Sequence, residues 1–343
     1  MRSAKLLLLY VARTLGLFRL ARLVTRRELR ILCYHGFQLA DEASFRPQLF
    51  ISRESFERRI AALRRSGYRV LALDEAIDRL YRGTLPEHCV VITVDDGFHS
   101  FAKVAVPRLA SAAMPATVYV TSYYVAHPNP VFRLAVQYMF WKTRVRRLAP
   151  EGLPWSDGRS IELADPAERA RAVERCIEHG ERRCSEDERR ALCRELGARL
   201  EVPYEDIVAS GILSLMRPEE LRRITAAGVA VELHTHRHHF PADDLAAAER
   251  EIRDNRAALA AWVDGERRHF CYPSGEWDER HWPCLDALGI ASATTCIPGL
   301  NNASTPRHAL RRFLDGEHVH QLEFEAALCG FSTLVHRARG AVQ

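Results

Sequence analysis

The sequence predicts an α/β fold in which parallel strands form a sheet and helices pack outside it. Short apolar runs of strand length alternate with amphipathic helical patterns along most of the chain. Residues that could carry chemistry follow several of these apolar runs directly. Such alternation is typical of βαβ units, whose strands are parallel and whose helices cover the sheet. The pattern alone fits either an open sheet or a closed barrel.

The first half of the chain supplies strands and helices in turn. Ser52–Ser66 has the spacing of an amphipathic helix that ends at Gly67. Asp74 is expected to cap the helix that runs to Tyr81. The other elements predicted in this half are strands at 30–35, 68–73, 89–94 and 116–121 and a helix at 100–113.

The second half resumes the alternation after residue 215. Pro218 is expected to open a helix, because proline fits the first helical position and acidic residues suit the first turn. The other elements predicted here are strands at 229–233 and 267–272 and near Ile290 and Leu310, with helices at 242–263 and 283–288. Between the halves, residues from about 127 to 215 hold helical patterns at 130–146, 166–180 and 185–200 and no convincing strand, which predicts a helical insertion.

Positive charge is concentrated at the start of the chain. Residues 1–30 carry eight basic side chains and one acid, although the net charge of the whole chain is only +5. The folded domain, expected at 28–343, therefore lacks the basic character that nucleic-acid binding needs, and no nucleic-acid partner is expected. Leucines interleaved with arginines predict an amphipathic helix at 1–27, which either contacts an anionic membrane face peripherally or docks on the domain. No uncharged stretch there is long enough to span a bilayer.

The cysteines indicate the compartment. There are nine of them, an odd number, and none forms a C-x-x-C pair. Cysteines in strand-like apolar runs usually behave as small buried hydrophobic residues. We therefore expect a reducing compartment, with the protein in the cytoplasm and peripheral contact with the inner face of the membrane.

Two adjacent carboxylates, Asp95 and Asp96, follow the apolar strand at 90–94 and precede Gly97. The carboxyl ends of strands carry the functional sites of parallel α/β folds. Two ionised carboxylates this close repel each other unless a cation lies beside them. The alternative is a solvated Asp-Asp-Gly turn.

Four histidines fall within six residues after the strand at 229–233. His234 and His238 are four residues apart, which is a common spacing for metal ligands, and neutral imidazole suits zinc and similar ions. His236 and His239 offer a competing pair. After a later strand, the Tyr272–Gly275 turn contains proline and glycine and could present a backbone N–H that stabilises an oxyanion.

These motifs, T-V-D-D-G, H-T-x-x-H and F-x-Y-P-x-G in this order, resemble those of the polysaccharide deacetylases, the NodB-homology domain of carbohydrate esterase family 4. The resemblance covers about 30–125 and 216–315. It implies a distorted (β/α) barrel of about seven parallel strands with the helical segment inserted. It also implies that Asp95 is the catalytic base, that Asp96, His234 and His238 bind the metal, and that the N–H of Ser274 helps to form the oxyanion hole.

The chain departs from this family at two places. Cys271 and Ser274 stand where the family has arginine and tyrosine around the proline. Arg311 or Arg312 is therefore a candidate for holding the base aspartate, and we choose Arg311. The leucine-x-histidine motif that carries the family's general acid is not evident at its usual place, so the acid is open among His336, His308 and His318.

The expected function is hydrolysis of the N-acetyl amide of a sugar in a polysaccharide or lipid-linked glycan. The cofactor is expected to be a divalent metal, zinc with cobalt as the alternative, because one carboxylate and two imidazoles leave coordination positions open. Two other functions fit the same residues. One is a non-catalytic glycan-binding pseudo-enzyme, and the other is a metal-dependent deformylase or other amide hydrolase.

Overall fold

The fold is described from a computed structural model of residues 2–340. Its main sheet runs in the order β11-β10-β9-β6-β5-β1-β12, all pairs being parallel, and β4 adds to β5 beside this path. The strands are β1 Arg30–Tyr34, β2 Gly36–Phe37, β3 Phe50–Ile51, β4 Arg69–Val70, β5 Cys89–Val94, β6 Thr117–Val120, β7 Arg147–Leu148, β8 Ile161–Glu162, β9 Ala230–Leu233, β10 His269–Cys271, β11 Ser292–Thr294 and β12 Phe313–Leu314.

Helices surround this sheet. They are α1 Arg2–Thr14, α2 Leu17–Val24, α3 Glu42–Phe45, α4 Arg53–Arg65, α5 Leu73–Tyr81, α6 Val106–Ser111, α7 Ser122–Ala126, α8 Phe132–Lys142, α9 Pro166–Arg183, α10 Glu186–Arg199, α11 Tyr204–Ser210, α12 Pro218–Ala226, α13 Leu245–Ala260, α14 Trp282–Ala287, α15 Gln321–Leu328 and α16 Phe331–Ala338. A π-helical turn, Phe101–Ala105, precedes α6, and 3₁₀ turns occur at Pro273–Gly275 and Glu279–His281.

The two ends of the strand path meet. Thr294 of β11 forms a parallel bridge with Leu310, just before β12, and β12 in turn pairs with β1. This arrangement confirms the predicted distorted (β/α) barrel of about seven parallel strands. Strands β1 and β5 are buried along their whole length, as expected when helices cover a parallel sheet.

Side-chain caps fix the starts of several helices, and one helix starts elsewhere than expected. The Ser52 hydroxyl accepts a hydrogen bond from the Ser55 N–H, which fixes the start of α4. The helix that was expected to be capped by Asp74 begins at Leu73 instead. Asp74 therefore lies in the first turn of α5, where its charge still favours the positive end of the helix dipole.

The predicted insertion lies between β6 and β9, which are neighbours in the sheet. Helices α8, α9 and α10 occupy the three predicted helical stretches, and their apolar side chains join the main hydrophobic core. The prediction that this segment holds no strand is wrong, because β7 and β8 form a two-residue antiparallel pair. A ladder this short has no detectable period, and the proline- and glycine-containing loop between the two strands obscured it.

The start of the chain forms two helices and not the single one expected at 1–27. Gly16, with a φ of 79°, separates α1 from α2. One side of this pair packs against α15 and α16. No helix within 2–340 combines the length and the hydropathy that crossing a bilayer requires.

Candidate active site

The carboxyl ends of four barrel strands bring the candidate residues together. Asp95 and Asp96 follow β5, and His234 follows β9. His35 follows β1, and the Tyr272–Gly275 turn follows β10. All of these elements line one cavity of about 1030 Å³. The strand ends converge there because parallel strands of a barrel end on the same face.

Asp96 and two histidines form a compact cluster. Asp96 Oδ1 lies 3.2 Å from His234 Nε2 and 3.2 Å from His238 Nε2. The oxygen is buried and has no hydrogen-bond partner of acceptable geometry in the described chain. Each of the three side chains thus directs one potential ligand atom at a common space. His236, from the competing histidine pair, does not belong to this cluster. Its Nδ1 lies 2.8 Å from the Ser122 hydroxyl.

The surroundings of this cluster suit a divalent cation. His234 Nδ1 lies 2.8 Å from the Cys271 carbonyl oxygen and so carries the proton that it donates there. Nε2 is then the ring nitrogen that faces Asp96. A hydrogen bond from the other ring nitrogen to a carbonyl is the usual arrangement of a metal-binding histidine. Burial alone would raise the pKa of Asp96, yet the two imidazoles outweigh it and lower that pKa well below its usual range. The cluster therefore favours positive charge beside Asp96.

Asp95 is held by Arg312. The guanidinium nitrogens of Arg312 lie 2.7 Å from both carboxylate oxygens of Asp95, and both side chains are buried. Burial would raise the pKa of Asp95, but the adjacent guanidinium lowers it far below the ordinary carboxyl range. The choice of Arg311 for this task is therefore corrected. Arg311 instead forms backbone hydrogen bonds with the Asn301 side chain.

Two thiols complete the contacts of Asp95. Cys33 and Cys271 each place their sulfur 3.4 Å from Asp95 Oδ2. These thiols give two further groupings of potential metal ligands, Cys33-His35-Asp95 and Asp95-His234-Cys271. Burial raises the pKa of both thiols well above the usual value, so they stay protonated. With Arg312 already beside Asp95, these groupings suit a cation less well than Asp96, His234 and His238.

The Ser274 turn lines the cavity and carries a backbone donor that is unbonded in the described chain. Ser274 has a φ of 57°, and its N–H makes no hydrogen bond with another group of residues 2–340. The next residue must be glycine, because a Cβ on Gly275 would lie 2.8 Å from Cys296 Cβ and its φ is 72°. The turn thus leaves the Ser274 N–H available to an oxygen in the cavity.

Backbone strain concentrates at this site. Eight non-glycine residues of the described chain have positive φ. Four of them lie in the loops that follow β5, β9 and β10 at the cavity. They are Asp96, Thr235, His238 and Ser274. Left-handed backbone costs of order 1 kcal/mol or more for such residues and persists where the surrounding structure holds it. Its concentration here is typical of a functional site.

His35 was missed as a site residue. Its Nε2 lies 3.8 Å from Asp95 Oδ2, its Nδ1 is buried without a hydrogen-bond partner in residues 2–340, and it lines the cavity. The signal was visible in the sequence, since His35 directly follows the apolar run of β1. Its position at the same barrel face as Asp95 required the strand register to be known.

The three histidines named as candidate acids lie outside the cavity. His308 Nε2 pairs with Asp286 at 2.8 Å. His318 Nδ1 contacts the Pro47 carbonyl oxygen at 3.0 Å. His336 lies on α16, which packs against the N-terminal helices. None of the three lines the cavity.

The segment between β6 and β9, which consists of α7 and the insertion at about 127–215, builds one wall of the cavity. Tyr124, Arg133 and Arg189 face it from α7, α8 and α10. Arg133 donates two hydrogen bonds to Glu181, which also lines the cavity. Arg46, which follows α3, also lines the cavity and donates a hydrogen bond to the Gln137 side-chain oxygen of α8. The wall is thus polar and aromatic, which suits a hydroxyl-rich ligand.

Comparison with known proteins agrees with the motifs. The sequence profile of the family described as polysaccharide deacetylase matches residues 197–293, which include His234, His238 and the Ser274 turn. The resemblance to the polysaccharide deacetylase family is therefore confirmed. No curated protein sequence matches the chain.

Solved structures share the fold at low identity. A Streptococcus pyogenes deacetylase, PplD, in complex with acetate has a TM-score of 0.59 at 15% identity, covering 89% of this chain and 99% of that one. A de-N-acetylase from Aggregatibacter actinomycetemcomitans has a TM-score of 0.55 at 14% identity, covering 88% and 99%. IcaB from Ammonifex degensii has a TM-score of 0.54 at 19% identity, covering 88% and 97%. At these identities the likeness concerns the fold.

Proposed function

We propose that this chain is a metal-dependent deacetylase that hydrolyses the N-acetyl amide of a sugar in a polysaccharide or lipid-linked glycan. The observation that carries the proposal is the placement of Asp96, His234 and His238 beside the buried Asp95–Arg312 pair, in one cavity with the free Ser274 N–H. These are the groups that amide hydrolysis needs: ligands for a cation, a proton acceptor and an oxyanion donor.

Asp96, His234 and His238 would hold the cation. A divalent metal such as zinc or cobalt there supplies Lewis acidity toward the amide carbonyl and makes water more acidic. The hydrogen bond from His234 to the Cys271 carbonyl orients the imidazole for this task.

Asp95 accepts the proton of the attacking water. Arg312 fixes its position and keeps it ionised, so the acceptor is ready at neutral pH. The same low pKa makes Asp95 a weak base, so a proton that it accepts is released again readily. His35, 3.8 Å away and open to the cavity, is placed to donate a proton to the leaving amine.

The Ser274 N–H stabilises the oxyanion as the tetrahedral carbon forms. It is a backbone donor without another partner among the described residues, on a turn held by Pro273 and Gly275, and so needs no reorganisation during the reaction. Donors of this kind typically contribute about 10²–10³ in rate. The acetyl carbonyl is therefore expected to point toward Ser274 and the amine toward His35.

The test is release of acetate from N-acetylated oligosaccharides and lipid-linked N-acetyl sugars, with zinc or cobalt added and with a chelator. We expect metal-dependent acetate release that the Asp95→Asn variant lacks. Formate release from N-formyl sugars, without acetate release, would indicate a deformylase. Metal and glycan binding without turnover of any of these sugars would indicate a pseudo-enzyme.

A further inference from the structure

The first two helices expose an apolar face. Fifteen large hydrophobic residues of the described chain are exposed, and nine of them lie between Leu7 and Val24. These nine are 39% to 72% exposed. They are Leu7, Leu8, Tyr10, Val11, Leu15, Leu17, Leu20, Leu23 and Val24. Single exposed apolar residues are ordinary on a protein surface, but a concentration of this kind marks an interaction site.

This face is not the one that docks on the barrel. Leu9, Ala12, Phe18 and Ala21 form a separate buried stripe that packs against Leu322, Ala326 and Cys329. The helix pair is therefore apolar on both sides. Its inner side is explained by contact with α15 and α16, whereas its outer side has no partner within residues 2–340.

Basic side chains flank the outer face. Residues 3–27 carry six of them, Lys5, Arg13, Arg19, Arg22, Arg26 and Arg27, and no acidic residue. Lys5 and Arg13 pair with Glu323 and Glu325 of α15 but remain more than half exposed. Arg26 and Arg27 contact Glu87 and remain 40% and 77% exposed. Arg22 lies over the Tyr68 ring, and Arg19 has no carboxylate partner within residues 2–340. Long basic side chains of this kind can reach anionic groups while their stems lie along apolar surface.

The dimensions favour lying on a bilayer over crossing it. Helix α1 has 13 residues and α2 has 8, and Gly16 breaks the chain between them. A spanning helix needs about 20 apolar residues. An apolar face with a basic rim is the pattern of helices that lie in the interface of a membrane.

We propose that the outer face of α1 and α2 is a docking surface for an anionic lipid bilayer. Apolar side chains enter the interface and the basic side chains around them contact lipid headgroups. Charge favours this occupant over a second copy of the chain. Two copies paired through this face would bring their basic side chains together, whereas an anionic surface neutralises them.

The test uses the full chain with phosphatidylcholine vesicles and with vesicles that also contain phosphatidylglycerol. We expect co-sedimentation with the anionic vesicles, weakened by salt. Replacing three outward residues, Leu7→Gln, Leu20→Gln and Leu23→Gln, should lower the partition coefficient on the order of tenfold or more, because each removes apolar area from the interface.

The matched control replaces three exposed apolar residues elsewhere, Leu39→Gln, Val208→Gln and Leu245→Gln, and should bind vesicles like the parent. Thermal unfolding verifies that both variants fold. Equal vesicle binding by the two triple variants, or no binding by the parent chain at low salt, would overturn the proposal. Sedimentation velocity could also overturn it. If the parent chain and the control variant were dimers and the variant at Leu7, Leu20 and Leu23 a monomer, the face would bind a second copy of the chain.

Discussion

Arg312 reaches Asp95 across 217 residues of sequence and meets both of its carboxylate oxygens at 2.7 Å. A guanidinium matches a carboxylate in this two-pronged way better than any other side chain. One guanidinium nitrogen also lies 3.2 Å from the Cys271 sulfur. Arg312 therefore supplies a positive charge next to the position where related deacetylase motifs carry an arginine and this chain carries Cys271.

Replacing Arg312 should damage both stability and activity. Arg312→Met leaves the buried Asp95 carboxylate without its partner, and breaking a buried pair in this way costs about 3–5 kcal/mol. Arg312→Lys keeps the charge but cannot form both hydrogen bonds with the carboxylate, so intermediate losses of stability and activity are expected. The measurements are urea unfolding and acetate release. Arg311→Met is the control, and equal losses in the two Met variants would contradict the assignment to Arg312.

Asp95 and Asp96 should respond differently to the same substitution. Asp95→Asn should keep bound metal but lose about 10²–10⁴ in kcat, since the amide cannot accept a proton at neutral pH. Asp96→Asn should weaken metal binding first, and excess metal should restore part of the rate. Metal content and turnover, measured on both variants, separate the two roles. Asp95→Asn with the parent rate would show that Asp95 is not the proton acceptor.

His35 should matter for protonation of the leaving amine. His35→Gln should lower kcat by about 10²-fold while leaving metal content unchanged. A substrate whose leaving amine is less basic should suffer less, because it needs less help from an acid. His308→Gln is the control, since His308 pairs with Asp286 outside the cavity. If His35→Gln slowed the substrate with the less basic leaving amine as much as the parent substrate, His35 would not be the acid.

Single substitutions can test which pair of histidines binds the metal. His234→Ala and His238→Ala should each lower metal content and abolish activity, because a site of three protein ligands would retain two. His236→Ala and His239→Ala should keep most of the metal, since neither is part of the cluster around Asp96. Metal analysis of the four purified variants shows which pair of histidines binds the metal. Loss of metal in His236→Ala, with retention in His238→Ala, would reverse the assignment.

The cysteines should divide into two groups by reactivity. Burial raises the pKa of Cys193 to about 12 and that of Cys89 to about 11, so both remain protonated and unreactive from pH 7 to pH 9. Only the half-buried Cys184, Cys284 and Cys296 should react with a thiol reagent in the native state. All nine should react in urea. Rapid native labelling of Cys89 or Cys193 would contradict the packing described for them.

The sequence predicted the parts that depend on local pattern. The alternation of apolar runs and helical spacing indicated parallel strands, and the motifs after β5, β9 and β10 lie together at one end of the barrel. The choice between Arg311 and Arg312 was beyond such reasoning. Adjacent residues point in different directions, and which one meets Asp95 depends on how the segment before β12 closes the barrel. His35 was missed for the same reason, because its neighbours in space come from other strands.

The cavity takes its reacting groups and one of its walls from different parts of the chain. The groups proposed for chemistry lie in short loops at the carboxyl ends of barrel strands, while Tyr124, Arg133 and Arg189 come from the continuous segment between β6 and β9. Changes at these three side chains can alter which ligand fits. Changes at the ends of the segment would also disturb the reacting groups, because the Tyr123 N–H bonds to the His236 carbonyl and the Met216 N–H to the Gly97 carbonyl. Under the proposed function, exchanging the middle of this segment, and not its ends, between related deacetylases is therefore a direct way to transfer a preference among glycans.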